Sequence, residues 1–269
     1  MSQPQRRVAV FGGVYNNHLS LQAVLEDAQR QGADEIYCLG DIGGFGPHPD
    51  LSVAMLRDAG IPTMQGNYDQ SIGLGLDDCQ CGYTDPRDNH FAQISYNYTL
   101  AKTSDDHRRW LRDLPPNFRL EMGGQRILMA HGSPRRINEF LWASTTPEPF
   151  IKRLLDENQA DLLLVTHTGI QWHRPLDNDP GRGLVNVGAI GRPANDGRTG
   201  VWYAMLTETG QADNPVDVEL RCVEYDHQKL AAQMRQEDLP EEFVETILTG
   251  WWTTCLEIMP AKERAGGRF

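Results

Sequence analysis

The chain has 269 residues, 39% of them hydrophobic and 23% charged, with a formal net charge of −12 and a pI near 5.1. That length suffices for one large α/β unit whose core needs no staples, and the acidic balance argues against binding polymeric nucleic acid or anionic membranes. No stretch approaches the ~20 apolar residues of a membrane helix, and the start enters its first apolar run without a secretory apolar region, so the expected compartment is the cytoplasm.

In chain order, Val8-Ala9-Val10-Phe11 predicts a first strand, and the spacing of Leu21, Val24, Leu25 and Ala28 predicts a helix over 19–31. Residues 35–39 predict a second strand, 51–59 a shorter helix and Pro62-Thr63-Met64 a third strand. The first ~65 residues thus read β-α-β-α-β, the start of a parallel sheet. Residues 73–87, rich in Gly and Asp and without periodicity, predict a loop, and 89–114 a helix with Trp110 and Leu111 facing inward. Strands are expected over 126–130, 161–165 and 183–187, with a crossover helix over 149–158. The alternating segments 201–207 and 216–225 are expected to form a second sheet.

Residues 226–269 add helices over 226–236 and 241–252 and a basic tail, read as a helical extension packed on the domain of residues 1–225. Trp251-Trp252 and the segment Cys255–Met259 are too apolar to stay solvated. Packing on the same domain is the simpler account, a homodimer contact the alternative. Lys262, Arg264 and Arg268 read as solvated charges. Among five cysteines, Cys38 and Cys222 read as buried structural thiols, and Cys79-Gln80-Cys81 as a loop turn with incidental thiols, because neither a CxxC spacing nor a second ligand pair accompanies it.

Six apolar runs open directly into short polar segments: Gly12–Asn17, Gly40-Asp41, Gly66–Asp69, His131-Gly132, Thr166–Gly169 and Gly188–Pro193. Glycine-capped apolar runs read as buried strands, and in open α/β sheets ligand sites form beyond the carboxyl ends of strands. One Asp, one Asn and two His arriving together make a nitrogen and oxygen site for a metal ion. Asp41 also suits a helix N-cap and Asn67 a turn, whereas an unpaired imidazole at His131 or His167 is expensive to bury.

The order Gly40-Asp41, Gly66-Asn67-x-Asp69, His131-Gly132-Ser133-Pro134 and Thr166-His167-Thr168 resembles the calcineurin-like metallophosphoesterases, in particular their small bacterial phosphodiesterase-like branch, over roughly residues 8 to 205. The resemblance implies an α/β fold, a four-layer α-β-β-α sandwich of two mixed sheets. It also implies that Asp41, Asn67, His131 and His167 hold a second-site metal. The first site is depleted: the usual Asp-x-His falls on Gly13 and Tyr15, and the second His of Gly-His-Thr-His falls on Gly169. Tyr68 stands where the family has a substrate-facing His.

The expected function is a phosphoesterase acting on a phosphomonoester, phosphodiester or nucleotide with one divalent transition metal (manganese, iron, zinc or nickel rather than calcium). The alternatives are a weak or inactive relative that binds metal or nucleotide, and a dinuclear centre completed by Tyr15 and His173. Tyr15 and Tyr68 either fill the vacated first site or donate a proton to substrate, with Asp69 orienting Tyr68. Asn17, Arg135 and Arg174 are candidate substrate contacts, and Arg136 and Arg192 also lie in or beside the motif loops.

Overall fold

A computed structural model describes residues 5–266. In chain order the elements are β1 (Arg7–Phe11), α1 (His18–Arg30), β2 (Glu35–Cys38), α2 (Pro49–Asp58), α3 (Asn67–Leu74), α4 (Pro86–Lys102), α5 (Asp105–Arg112), β3 (Asn117–Met122) and β4 (Gln125–Ala130). There follow α6 (Glu148–Glu157), β5 (Leu162–Val165), β6 (Trp172–Pro175), β7 (Gly183–Asn186), β8 (Val201–Glu208), β9 (Val216–Val223), α7 (His227–Gln236), α8 (Glu241–Thr249) and α9 (Ala261–Ala265). One sheet has the order β2-β1-β8-β9, the other β3-β4-β5-β7-β6, and both are mixed.

The period-2 alternation of each central strand divides the interior into layers. Val8 and Val10 of β1 face Met129, Leu162, Leu164 and Val185 in a core between the sheets. The intervening Ala9 and Phe11 point the other way, against Leu21, Val24 and Ala28 of α1. On the far side, Leu128, Leu163 and Leu184 pack against Ile151, Leu154 and Leu155 of α6. This is the four-layer α-β-β-α sandwich that the motif order implies.

Several expectations are corrected. The late strands do not make a second sheet: β8 pairs antiparallel with β1, Val8 opposite Leu206, so β8 and β9 complete the first sheet. The second sheet instead runs from β3 to β7, and both β3 and β6, at its edges, escaped the sequence reading. Segment 62–64 is a single parallel bridge between Cys38 and Thr63. The long helix over 89–114 is two, α4 and α5. Thr103 is extended between them, and the carboxylate of Asp50 accepts the Ser104 N–H at 3.0 Å. Asn67 opens a helix rather than a turn, and Gly75 at φ +65° closes it. Cys222 is exposed, and Cys79 and Cys81 form a disulfide. Arg268 lies outside the described residues.

Candidate metal centre

The parallel strands β1, β2, β4, β5 and β7 all deliver their carboxyl ends to one edge of the sandwich, where the motif loops meet. Two glycines allow that meeting. A Cβ on Gly40, whose φ is +84°, would collide with the Gly66 backbone, and one on Gly66 would collide with Asp41. The turns after Leu39 and Gln65 therefore touch backbone to backbone, which only glycine permits.

Asp69 ties those turns together. Its buried carboxylate accepts the N–H groups of Asp41 (2.7 Å), Gly66 (2.8 Å) and Ile42 (2.9 Å). Burial and the Asp41 charge push this carboxyl up to about 7, and the backbone donors pull it back. It does not reach the Tyr68 hydroxyl, so the expected orienting role is replaced by a structural one.

Asp41, His131 and His167 form a buried cluster whose donor atoms lie within 4.8 Å of one another. His131 Nδ1 lies 2.8 Å from the Leu39 carbonyl, an acceptor only, so Nδ1 carries the proton and donates it. That leaves Nε2 facing Asp41, 3.2 Å away, and His167 Nδ1 at 3.3 Å, so Nε2 holds a proton shared with Asp41 that a metal would displace. Burial alone would raise Asp41, but His131 outweighs it and holds the carboxyl below its ordinary range. Burial lowers His131, and Asp41 outweighs that in turn. His167 falls to about 3 through burial and the facing His131, and so stays neutral.

Asn67 is oriented by the Cys79–Cys81 loop. Its Nδ2 donates to the Cys79 carbonyl at 2.9 Å and toward Cys81 Sγ at 3.4 Å, which leaves Oδ1 as its free acceptor. Asn67 Oδ1 and His167 Nε2 are both buried without a hydrogen-bond partner. Orphaned acceptors are costly, and a cation at this point would relieve Asn67. A carboxylate, an amide oxygen and two imidazoles, His131 after giving up its Nε2 proton, suit a divalent metal ion.

A cavity of about 40 Å³ opens beside the cluster, lined by Asp41, Asn67, His167, Tyr15, Tyr68 and Arg192 among others. That is room for about three waters. Both tyrosines face it, and burial above all keeps both phenols protonated. The Tyr68 hydroxyl lies 3.2 Å from Ser95 Oγ on α4, and Ser95 lines the cavity beside it. C-terminal residues form part of the wall, Phe243 of α8 and Cys255 among them.

The three expected substrate contacts are employed elsewhere. Asn17 is buried as the N-cap of α1, accepting the Ser20 N–H at 3.0 Å. Arg174 donates to the carbonyls of Ala143 and Thr146, and Arg135 lies outside the cavity over the Phe150 ring. His173 is exposed on the edge strand β6 and does not join the cluster. Arg192 is the arginine that faces the cavity. The sequence placed it beside the motif loops together with Arg135, Arg136 and Arg174, with nothing to prefer it. Trp252, stacked on Arg192 from sixty residues later in the chain (192 to 252), was legible only as a ring that must pack somewhere on the domain.

The calcineurin-like phosphoesterase superfamily domain matches residues 7–210. An uncharacterized protein of Methanocaldococcus jannaschii, MJ0912, is 26% identical over 258 residues, covering 90% of this chain and 98% of its own. The crystal structure of a metallophosphoesterase from Sphaerobacter thermophilus is 27% identical, with a TM-score of 0.69 over 92% of this chain and 100% of that one. Hypothetical protein PH1004 from Pyrococcus horikoshii OT3 shares the fold at 22% identity, with a TM-score of 0.74 over 92% of this chain and 99% of that one.

Proposed function

The chain belongs to the calcineurin-like phosphoesterase superfamily, and from that premise we propose that it hydrolyses a phosphate ester using one divalent transition-metal ion instead of two. The observation that carries this reading is the asymmetry of the site. Asp41, His131 and His167 bring donor atoms within 4.8 Å of one another, and the unpartnered Asn67 Oδ1 belongs to a residue lining the same cavity. The positions that resemble first-site ligands, Gly13, Tyr15 and Gly169, bring two glycines and a protonated phenol. The first half does not fit a metal, and no step is assigned to one there.

When bound at the second half, the metal supplies polarisation of a phosphoryl oxygen and an acidified water at neutral pH. The chain's own residues hold and orient. Leu39 fixes the His131 tautomer, the Cys79–Cys81 loop fixes the Asn67 amide, and Asp69 fixes the two turns that carry Asp41 and Asn67. The Tyr15 hydroxyl remains a proton donor rather than an anionic ligand. Small substrates follow from the cavity: a phosphoryl group fits, and the remainder of a phosphorylated small molecule or nucleotide lies toward the opening.

A second reading, a metal-binding protein without turnover, draws on the same small cavity and on the loss of the bridging arrangement that two-metal relatives use. A hydrolysis screen over phosphomonoesters, phosphodiesters and nucleotides separates the two. Our reading expects chelator-sensitive turnover, weak on p-nitrophenyl phosphate. Turnover that survives complete metal removal contradicts it, and absence of turnover on every class supports the second reading.

A further inference from the structure

We propose that the guanidinium of Arg192 stands in place of the first metal ion, as a fixed cation that holds a phosphoryl oxygen opposite the Asp41–Asn67–His131–His167 centre. The inference rests on the phosphoester reading above and adds to it the residue that receives the substrate's charge.

A Cβ on Gly13, at φ +56°, would fall 2.9 Å from Tyr15 Cζ and 2.8 Å from the Ala189 Cβ. A Cβ on Gly169 would meet the Trp252 ring at 3.5 Å. Tyr15 and Trp252 thus cover the two glycines that replace first-site ligands. The same two rings flank Arg192, whose guanidinium carbon lies 3.4 Å from the Trp252 ring centre and 5.6 Å from that of Tyr15. The guanidinium thus shares its flanking rings with the two positions that resemble lost first-site ligands.

Arg192 is 7% exposed, its Nε is buried without a hydrogen-bond partner, its side chain is within hydrogen-bond reach of the Cys255 thiol, and among the described residues no Asp or Glu forms an ion pair with it. A buried cation without a counter-charge is costly. Stacking on Trp252, with Tyr15 and Phe45 at 5.6 and 5.7 Å, offsets part of that cost. The remainder calls for an anion supplied from outside, and the cavity that Arg192 shares with Asp41, Asn67 and His167 is the place for it. A planar fork of N–H donors matches phosphate geometry.

The loop bearing Arg192 is pinned to the first strand-end loop, Ile190 N–H donating to Gly12 at 3.0 Å and Gly191 N–H to Gly13 at 2.7 Å. Trp252 Nε1 donates to the Pro193 carbonyl at 2.6 Å. The guanidinium is therefore held in position before any ligand arrives. Unlike a metal ion it binds an oxyanion without acidifying water, so it can contribute affinity but not a nucleophile.

The test is calorimetric titration of the full chain with inorganic phosphate, metal-loaded and metal-stripped, for the parent, Arg192→Lys and Arg192→Met. The metal-stripped parent is expected to bind phosphate, and Arg192→Met to lose about 10- to 100-fold in affinity in both forms. Arg192→Lys is expected to fall between them, and all three to load the same metal. Equal phosphate affinity in parent and Arg192→Met overturns the inference, as does a metal-stripped parent that binds no phosphate. If Arg192→Met does not fold, Arg192→Gln carries the comparison under the same criteria. Metal-dependent hydrolysis by the parent with no effect of Arg192→Met on phosphate affinity overturns this inference alone. Arg192-dependent phosphate binding without any hydrolysis supports it and overturns the hydrolytic reading.

Discussion

Asp69 offers the strongest single perturbation that leaves every proposed metal ligand in place. Its two carboxylate oxygens accept three buried N–H groups, from Asp41, Ile42 and Gly66. Asp69→Asn keeps the shape but offers only one acceptor oxygen. With that oxygen toward Asp41 and Gly66, the new NH₂ faces the Ile42 N–H, donor against donor; flipped, it faces two. The better arrangement orphans one buried donor and, above pH 7 where Asp69 is ionised, turns two charge-assisted bonds into neutral ones, which sums to roughly 3–5 kcal/mol there. Against a total stability of about 5–15 kcal/mol this is a large fraction, and it lowers Tm by on the order of 10 °C for a chain of this size. The same change frees the turns carrying Asp41 and Asn67, so metal affinity should fall with stability. Thermal unfolding followed by circular dichroism, with and without chelator, measures the first effect, and elemental analysis after metal loading measures the second. Asp58→Asn, at a largely exposed carboxylate, is the control. If Asp69→Asn unfolds with that control and loads metal as the parent does, the clamp has been misassigned.

Tyr68→Phe should leave metal content unchanged and hydrolysis within a few-fold of the parent, because the lost hydroxyl is committed to Ser95; a steady-state kcat reduced by orders of magnitude would assign that hydroxyl to catalysis after all. Reducing the Cys79–Cys81 disulfide with a phosphine, which avoids thiol chelation, should weaken metal retention by freeing the loop that aims Asn67; equal metal content in reduced and oxidised protein argues against it. Asp161 is held below its ordinary range chiefly by the Arg126 side chain, which outweighs burial. A carboxyl with a lowered folded pKa contributes stability above its unfolded value near 3.8 and loses it as pH falls through the folded value. Asp161→Asn should therefore flatten the acid limb of the stability curve, and an unchanged limb in denaturant titrations would rule that contribution out.

The parts of this molecule legible in its sequence were those encoded locally. Apolar runs such as Val8–Phe11 and Leu162–Val165 are buried on both faces, so they announce strands without reference to anything else. The glycine and polar residues after them marked the site edge. Pairing was not legible: Val201–Glu208 alternates in the same way whichever sheet it joins, and only the register with β1 decides. Edge strands such as Trp172–Pro175 are too short and too polar to stand out. Within the site, ligand types were readable because metal donors are few. Asp69 and Tyr68 were harder to read, since their hydrogen bonds go to Ile42 and Ser95, residues that no spacing rule connects to them. The arginines beside the motif loops were alike in sequence, and only the packing of Trp252 and Tyr15 distinguishes Arg192.

The claim that one half of the centre holds metal and the other holds none is tested most directly by stoichiometry. Full-length protein loaded with manganese or zinc and freed of excess should carry about one ion per chain by elemental analysis, and His131→Ala should carry almost none. Two ions per chain in the parent, or none after loading, would contradict the account.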